Sequence, residues 1–89
     1  MTKFSKEQNE LKMKEVRDFA ANTAVGQYHF NLHVLGLNYS STFEEMIKGY
    51  RSMARRFHPD LNCGYDTREM MTMINTAKYG LQDQLREND

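Results

Sequence analysis

Between Phe43 and Phe57 the residues Phe43, Met46, Ile47, Tyr50, Met53, Ala54 and Phe57 follow one another at steps of three, one, three, three, one and three, and the chain's one proline, Pro59, stands just beyond them. An amphipathic helix fits this pattern: at ~100° per residue these side chains cover a face about 120° wide. Lys48, Ser52 and Arg55 fall on the opposite face, with Arg51 and Arg56 on its flanks. The proline ring disfavours helical backbone at His58, so the helix must stop there. Ser41 with Glu44 has capping-box spacing, and Thr42 with Glu45 repeats it one residue on. The expectation is a helix over about 41–58, which needs a second apolar face to cover it.

That second face lies downstream. After a loop from about Asp60 to Tyr65, Asp66 and Glu69 give another capping-box-like start. Met70, Ile74, Ala77, Leu81 and Leu85 make an apolar stripe, joined by Met71 and Met73, and the pattern fades in Arg86-Glu87-Asn88-Asp89. This predicts a helix over about 67–86. Two such helices joined by a short loop pair antiparallel and bury their stripes against each other. A shorter helix around 29–35, stopping at Gly36, brings Leu32, Val34, Leu35 and Leu37 to the open side of the pair. Ahead of it, residues 6–21 are rich in helix formers. Their stripe is thin: Met13, Val16 and Ala20, with Phe19 at its edge, followed by a connection from Asn22 to Gln27. Alternating β-branched runs are absent, so the fold class expected is all-α, an antiparallel helical hairpin with a short first helix and an extra N-terminal helix.

Composition bounds the function. Eighty-nine residues make one small domain. The single cysteine, Cys63, excludes an internal disulfide and fits a reducing compartment. It also leaves no cysteine pair for zinc, and His29 and His33 read as packing residues, so no metal or cofactor is expected. The N-terminus lacks the apolar core of a secretory signal, and Glu7, Glu10, Glu15 and Asp18 argue against a mitochondrial presequence. No apolar run is long enough to span a bilayer, so a cytoplasmic protein without a membrane partner is expected. Twelve bases balance twelve acids, but they are segregated. Lys48, Arg51, Arg55 and Arg56 lie in a stretch from Met46 to Pro59 that holds no acid. From Asp60 onward the acids outnumber the bases.

The chemistry-bearing segment is Arg55-Arg56-Phe57-His58-Pro59-Asp60, where a basic helix face ends in a proline-enforced turn carrying an imidazole and a carboxylate. A plain helix stop explains the tripeptide by itself. Its surroundings narrow the reading. Val34-Leu35-Gly36-Leu37 precedes it, Gly49-Tyr50-Arg51-Ser52-Met53-Ala54-Arg55-Arg56-Phe57 leads into it, and Ile74-Asn75-Thr76-Ala77 follows. With His58-Pro59-Asp60, these segments resemble in order the motifs of the J domain, the module of DnaJ-type co-chaperones, over about residues 30–85. The resemblance divides the chain into an N-terminal helical extension, 1–28, and a J domain, 29–89.

What the resemblance implies is a binding module, not an enzyme. In that family the tripeptide loop and the positive face of the second helix dock on a heat-shock-seventy (DnaK-type) chaperone and stimulate its ATP hydrolysis. The partner-binding set carried over is His58, Pro59, Asp60, Lys48, Arg51, Arg55, Arg56, Tyr50 and Asn62. Some positions depart from the pattern. Lys78 stands where the family often has tyrosine, Leu61 replaces a frequent loop cation, and Gly49 replaces an alanine at ~1 kcal/mol of helix propensity. The family's fourth helix and Gly/Phe-rich linker have no counterpart in these residues, and the helix at 6–21 has none in the family. A different class of reading is a small nucleic-acid-binding helical domain that uses the basic helix. The zero net charge and a loop longer than a helix-turn-helix turn count against it. A J-like scaffold that has lost chaperone coupling is disfavoured by the intact His58 and Asp60. The chain is expected to act as a monomer.

Overall fold

The computed structural model describes residues 4–21 and 26–87. Residues 22–25 of the connection expected from Asn22 to Gln27, the first three residues of the N-terminal reading and the end of the fading stretch at Asn88–Asp89 lie outside them, and Gln27 itself opens a helix. The described residues form α1 (Lys6–Ala20), α2 (Gln27–Val34), α3 (Phe43–Arg56), a single 3₁₀ turn at Pro59–Leu61, and α4 (Arg68–Glu87). This is the all-α arrangement that the periodicity requires, with boundaries shifted by one or two residues.

Local chemistry explains the shifts. α3 begins at Phe43 because Thr42, and not Ser41, supplies the capping box: its Oγ1 accepts from Glu45 N, while Glu45 Oε1 accepts from Thr42 N. Ser41 is occupied in the preceding turn, where its Oγ accepts from Asn38 N. The expected Asp66–Glu69 box is replaced by a tighter turn in which Asp66 Oδ1 accepts from Arg68 N. α1 starts on a box that the sequence reading missed, Ser5 with Gln8. α2 ends on Gly36 at φ +71°, where Gly36 N–H bonds His33 O and Leu37 N–H bonds Leu32 O. Glycine reaches that left-handed backbone without a Cβ penalty.

α3 and α4 pack face to face, α2 packs against α4, and α1 lies along α2. Met46 and Met53 from α3 and its C-cap Phe57 meet Met70, Ile74, Ala77 and Leu81 from α4, and Leu32, Val34, Leu35 and Val16 complete the buried cluster. Both long stripes are therefore core faces. Of the thin α1 stripe only Val16 is fully buried. Met13 is half-buried, and Ala20 is exposed, a correction to the expected trio. Two helical glycines are explained by close approach. A Cβ on Gly49 would stand 2.9 Å from Leu35 O, and one on Gly80 would stand 2.6 Å from Asn31 Nδ2. Each loss of helix propensity lets a neighbouring segment come nearer than alanine permits.

Candidate functional site

The candidate site is the end of α3 and the loop that follows. Lys48, Arg51 and Arg55 are exposed along one face of α3, with no carboxylate bound to any of them among the described residues. Phe57 caps the helix and is wholly buried, which anchors the start of the loop in the core. His58 then turns to extended backbone (φ −61°, ψ 131°), as a residue before proline prefers, and Pro59 opens the 3₁₀ turn.

The turn is closed by its own side chains. His58 Nδ1 accepts a hydrogen bond from Asp60 N at 3.1 Å. That bond needs a lone pair on Nδ1, so in this geometry the ring proton of neutral His58 sits on Nε2. The Asp60 carboxylate is 89% exposed and lies 3.8 Å from the same Nδ1. An imidazole donor and a free carboxylate are thus displayed side by side at the end of a cationic helix face. Such a surface offers positive charge beside fixed hydrogen-bonding groups.

Beneath the turn lies Asn62, buried, with its whole amide engaged. Its Nδ2 donates to His58 O at 2.7 Å and to Arg56 O at 3.0 Å. Its Oδ1 accepts from Asn9 Nδ2 at 3.1 Å and from the Tyr65 hydroxyl, a very short contact. Asn62 therefore sits inside the loop, and its contribution to any partner surface runs through the loop's shape.

Arg56 differs from its neighbouring cations. It is half-buried, its Nε donates to Asn9 Oδ1 at 2.7 Å, and its guanidinium carbon lies 3.7 Å from the Phe4 ring centroid. Burial pulls its proton affinity below that of a free guanidinium, with Glu15 and Tyr65 opposing the shift. Tyr50 also faces inward: it is half-buried, and its hydroxyl donates to Asn75 Oδ1 at 3.1 Å. The Lys78 ammonium lies 4.6 Å from the Tyr50 ring centroid, which accounts for a lysine on this face of α4.

The structure brings His58, Pro59 and Asp60 together on one exposed turn and aligns Lys48, Arg51 and Arg55 beside it. It turns Arg56, Tyr50 and Asn62 into internal contacts. Asn9 and Tyr65, which reach this loop directly, escaped the sequence reading. A lone asparagine on a polar helix carries no periodic signal. The Ser5–Gln8 box would have fixed the helix start but not the side that faces the loop. Cys63 is exposed and unpaired. His33 stacks on Phe19 with ring centroids 4.1 Å apart, as a packing residue does.

Comparison with known proteins bears on the same segment. The profile of the DnaJ domain family matches residues 32–88. Chaperone protein DnaJ 1 of Aquifex aeolicus is 36% identical over 66 residues, covering 74% of this chain and 17% of that protein. Chaperone protein DnaJ of Hydrogenobacter thermophilus is 34% identical over 56 residues, 63% of this chain and 16% of that protein. The corresponding protein of Thermosynechococcus vestitus is 39% identical over 56 residues, 62% of this chain and 15% of that protein. The chain spans about a sixth of the length of these curated relatives. No solved structure matches it significantly.

Proposed function

Since the chain belongs to the DnaJ domain family, we propose that it is a co-chaperone module that binds a heat-shock-seventy (DnaK-type) chaperone through the His58–Pro59–Asp60 turn and the cationic face of α3, and stimulates that chaperone's ATP hydrolysis. On this reading residues 29–89 are the module and residues 1–28 its extension. The observation that carries the proposal is the exposed turn itself, closed by the His58–Asp60 bond at the end of a helix face with three exposed cations.

The module performs no chemistry of its own. Lys48, Arg51 and Arg55 steer it toward an acidic groove, an attraction that weakens as salt screens it. Asp60 accepts a charge-assisted hydrogen bond from a partner arginine, and His58 donates from Nε2. Pro59 and the Asn62 bonds hold the loop in one shape before contact, so little ordering entropy is lost on docking. Binding favours whichever partner state fits the turn better. That differential affinity moves the chaperone toward its hydrolysing conformation. A reducing, cytoplasmic setting belongs to this reading and is supported by the free, exposed thiol of Cys63. No described helix is long and apolar enough to cross a membrane.

The test is a binding titration against the ATP-bound form of a DnaK-type chaperone, with circular dichroism on each variant. Wild type should bind with salt-sensitive affinity. His58→Gln and Asp60→Asn should lose binding while keeping wild-type helicity, because both side chains lie outside the core. Normal binding by both variants would refute the assignment of the turn. Tight binding of the wild type to duplex DNA instead would favour the nucleic-acid reading.

A further inference from the structure

α1 lies wholly outside the matched segment of residues 32–88, yet its side chains reach the loop that the proposed function depends on. The link is Asn9, which is 1% exposed and, with Val16, one of the two buried residues of α1. A buried amide costs free energy unless its groups are paired, and here they are. Asn9 Oδ1 accepts from Arg56 Nε at 2.7 Å. Asn9 Nδ2 donates to Asn62 Oδ1 at 3.1 Å and to the Tyr65 hydroxyl oxygen at 2.9 Å, with Arg56 O at 3.4 Å beside them. The Tyr65 O–H in turn points at Asn62 Oδ1.

We propose that Asn9 is a positioning residue for the His58–Pro59–Asp60 turn, acting through Asn62. The proposal rests on the co-chaperone reading for its functional consequence but not for its structural content. The Asn62 amide has two donors and two acceptor sites, and all four are used. Its Nδ2 faces two carbonyls, one of them that of His58. Its Oδ1 faces two donors, and Asn9 supplies one directly while accepting the role of partner to the other, Tyr65. This pattern fixes which way the amide points. With the Asn9 donors gone, the reversed amide no longer meets a fixed donor from α1, and the His58 carbonyl keeps Leu61 N but loses its constant side-chain partner. The turn then keeps Pro59, the His58–Asp60 bond and its backbone bonds from Leu61 N to His58 O and from Asn62 N to Pro59 O, but no fixed side chain beneath it.

Docking of α1 and support of the loop use different halves of the Asn9 amide, so one substitution separates them. Asn9→Asp keeps an acceptor for Arg56, now as an ion pair, and therefore keeps α1 attached. It removes the donors to Asn62 and Tyr65. A second variant, Tyr65→Phe, leaves the Asn9–Arg56 bond in place and removes the other donor to Asn62. Ile74→Val, a core change at a side chain that takes no part in the hydrogen-bond network, serves as the stability control.

The experiment uses the full chain, ¹⁵N-labelled. The His58 ring nitrogens report the tautomer, amide exchange reports Asp60 and α1, and single-turnover ATP hydrolysis by a DnaK-type chaperone is measured over a range of chain concentrations. Wild type should show His58 chiefly as the Nε2–H form. In Asn9→Asp, α1 amides should stay protected, the tautomers should mix, and Asp60 amide exchange should rise several-fold. The maximal stimulated rate should fall by roughly tenfold, the scale of one lost buried hydrogen bond. Tyr65→Phe should shift the same readouts in the same direction, and Ile74→Val should lower the melting temperature without moving them. If α1 detaches in Asn9→Asp, Tyr65→Phe decides. An unchanged His58 tautomer and Asp60 exchange in the deciding variant would overturn the proposal. A higher maximal rate would also overturn it, because α1 would then restrain the loop instead of supporting it. If the wild type stimulates no such chaperone, the co-chaperone reading fails, and the tautomer and exchange data still decide the coupling.

Discussion

Arg55 and Arg56 are adjacent and identical in type, yet replacing them with alanine should have opposite consequences. Arg55 is exposed and makes no hydrogen bond or ion pair among the described residues. Arg55→Ala should change stability by no more than ~0.5 kcal/mol. Arg56 bonds the buried Asn9 at 2.7 Å and covers the Phe4 ring at 3.7 Å. A hydrogen bond to a charged group contributes ~1.5–3 kcal/mol, and a cation over an exposed ring ~0.5–1 kcal/mol. Arg56 is only half-buried, so the lower end applies, about 2 kcal/mol. The loss also has a ceiling: once it exceeds what α1 docking contributes, α1 detaches and the remaining core stands alone. For a domain of this size ~1 kcal/mol corresponds to a shift of about 4–8 °C, so Arg56→Ala should melt on the order of 10 °C lower. Thermal unfolding followed by circular dichroism gives the shift, and hydrogen exchange should show α1 opening first. Partner binding should fall in Arg55→Ala at unchanged stability. If Arg56→Ala instead melts like wild type and loses binding, Arg56 docks the partner directly and its internal role is wrong.

Charge reversal with Arg51→Glu and Arg55→Glu together should weaken binding at low salt and flatten its salt dependence, with the melting temperature within a few degrees of wild type; unchanged low-salt affinity would mean a merely solvated face. Gly80→Ala should lower stability, because the new Cβ meets Asn31 Nδ2 at 2.6 Å while Asn31 Oδ1 is held by Gln27. The overpacking costs ~1–3 kcal/mol against a gain of ~1 kcal/mol in helix propensity, so a clear rise in melting temperature would refute the close approach. Burial and the nearby Lys12 hold the His33 pKa below 6.5, with Glu15 opposing them. The unfolded chain then binds that proton more readily, so this contribution is complete above about pH 6.5 and is lost as pH falls below it. Acidification from about pH 7.5 to 5.5 should lower the melting temperature more in wild type than in His33→Phe, which keeps the stack on Phe19, and parallel curves would contradict this.

The parts of this fold that repeat were legible in the sequence. The α3 and α4 stripes could be read because burial selects one helix face, and a period of 3.6 makes that face visible in one dimension. Gly36 and Pro59 could be read because each imposes a backbone state of its own. What could not be read depends on pairing across the fold. Lys48, Arg51, Arg55 and Arg56 are equivalent as a string of cations, and only the approach of α1 separates Arg56 from the rest. Gly49 appeared as a cost until Leu35 O was found where its Cβ would stand. Asn62 looked like a loop residue available to a partner, and its burial follows from the fourfold pairing that Asn9 and Tyr65 complete. Ser41 and Thr42 offered the same capping spacing, and the choice fell to Thr42 because Asn38 had engaged Ser41.

The central claim is that the turn at His58–Pro59–Asp60 drives a partner's chemistry from outside the partner's active site. Single-turnover ATP hydrolysis by a DnaK-type chaperone, preloaded with ATP and mixed with this chain, tests it most directly. The hydrolysis rate should rise with chain concentration to a plateau, and His58→Gln, folded to wild-type helicity, should leave the basal rate unchanged. A wild-type chain that binds the chaperone without raising the rate, or a His58→Gln chain that stimulates as well as wild type, would contradict it.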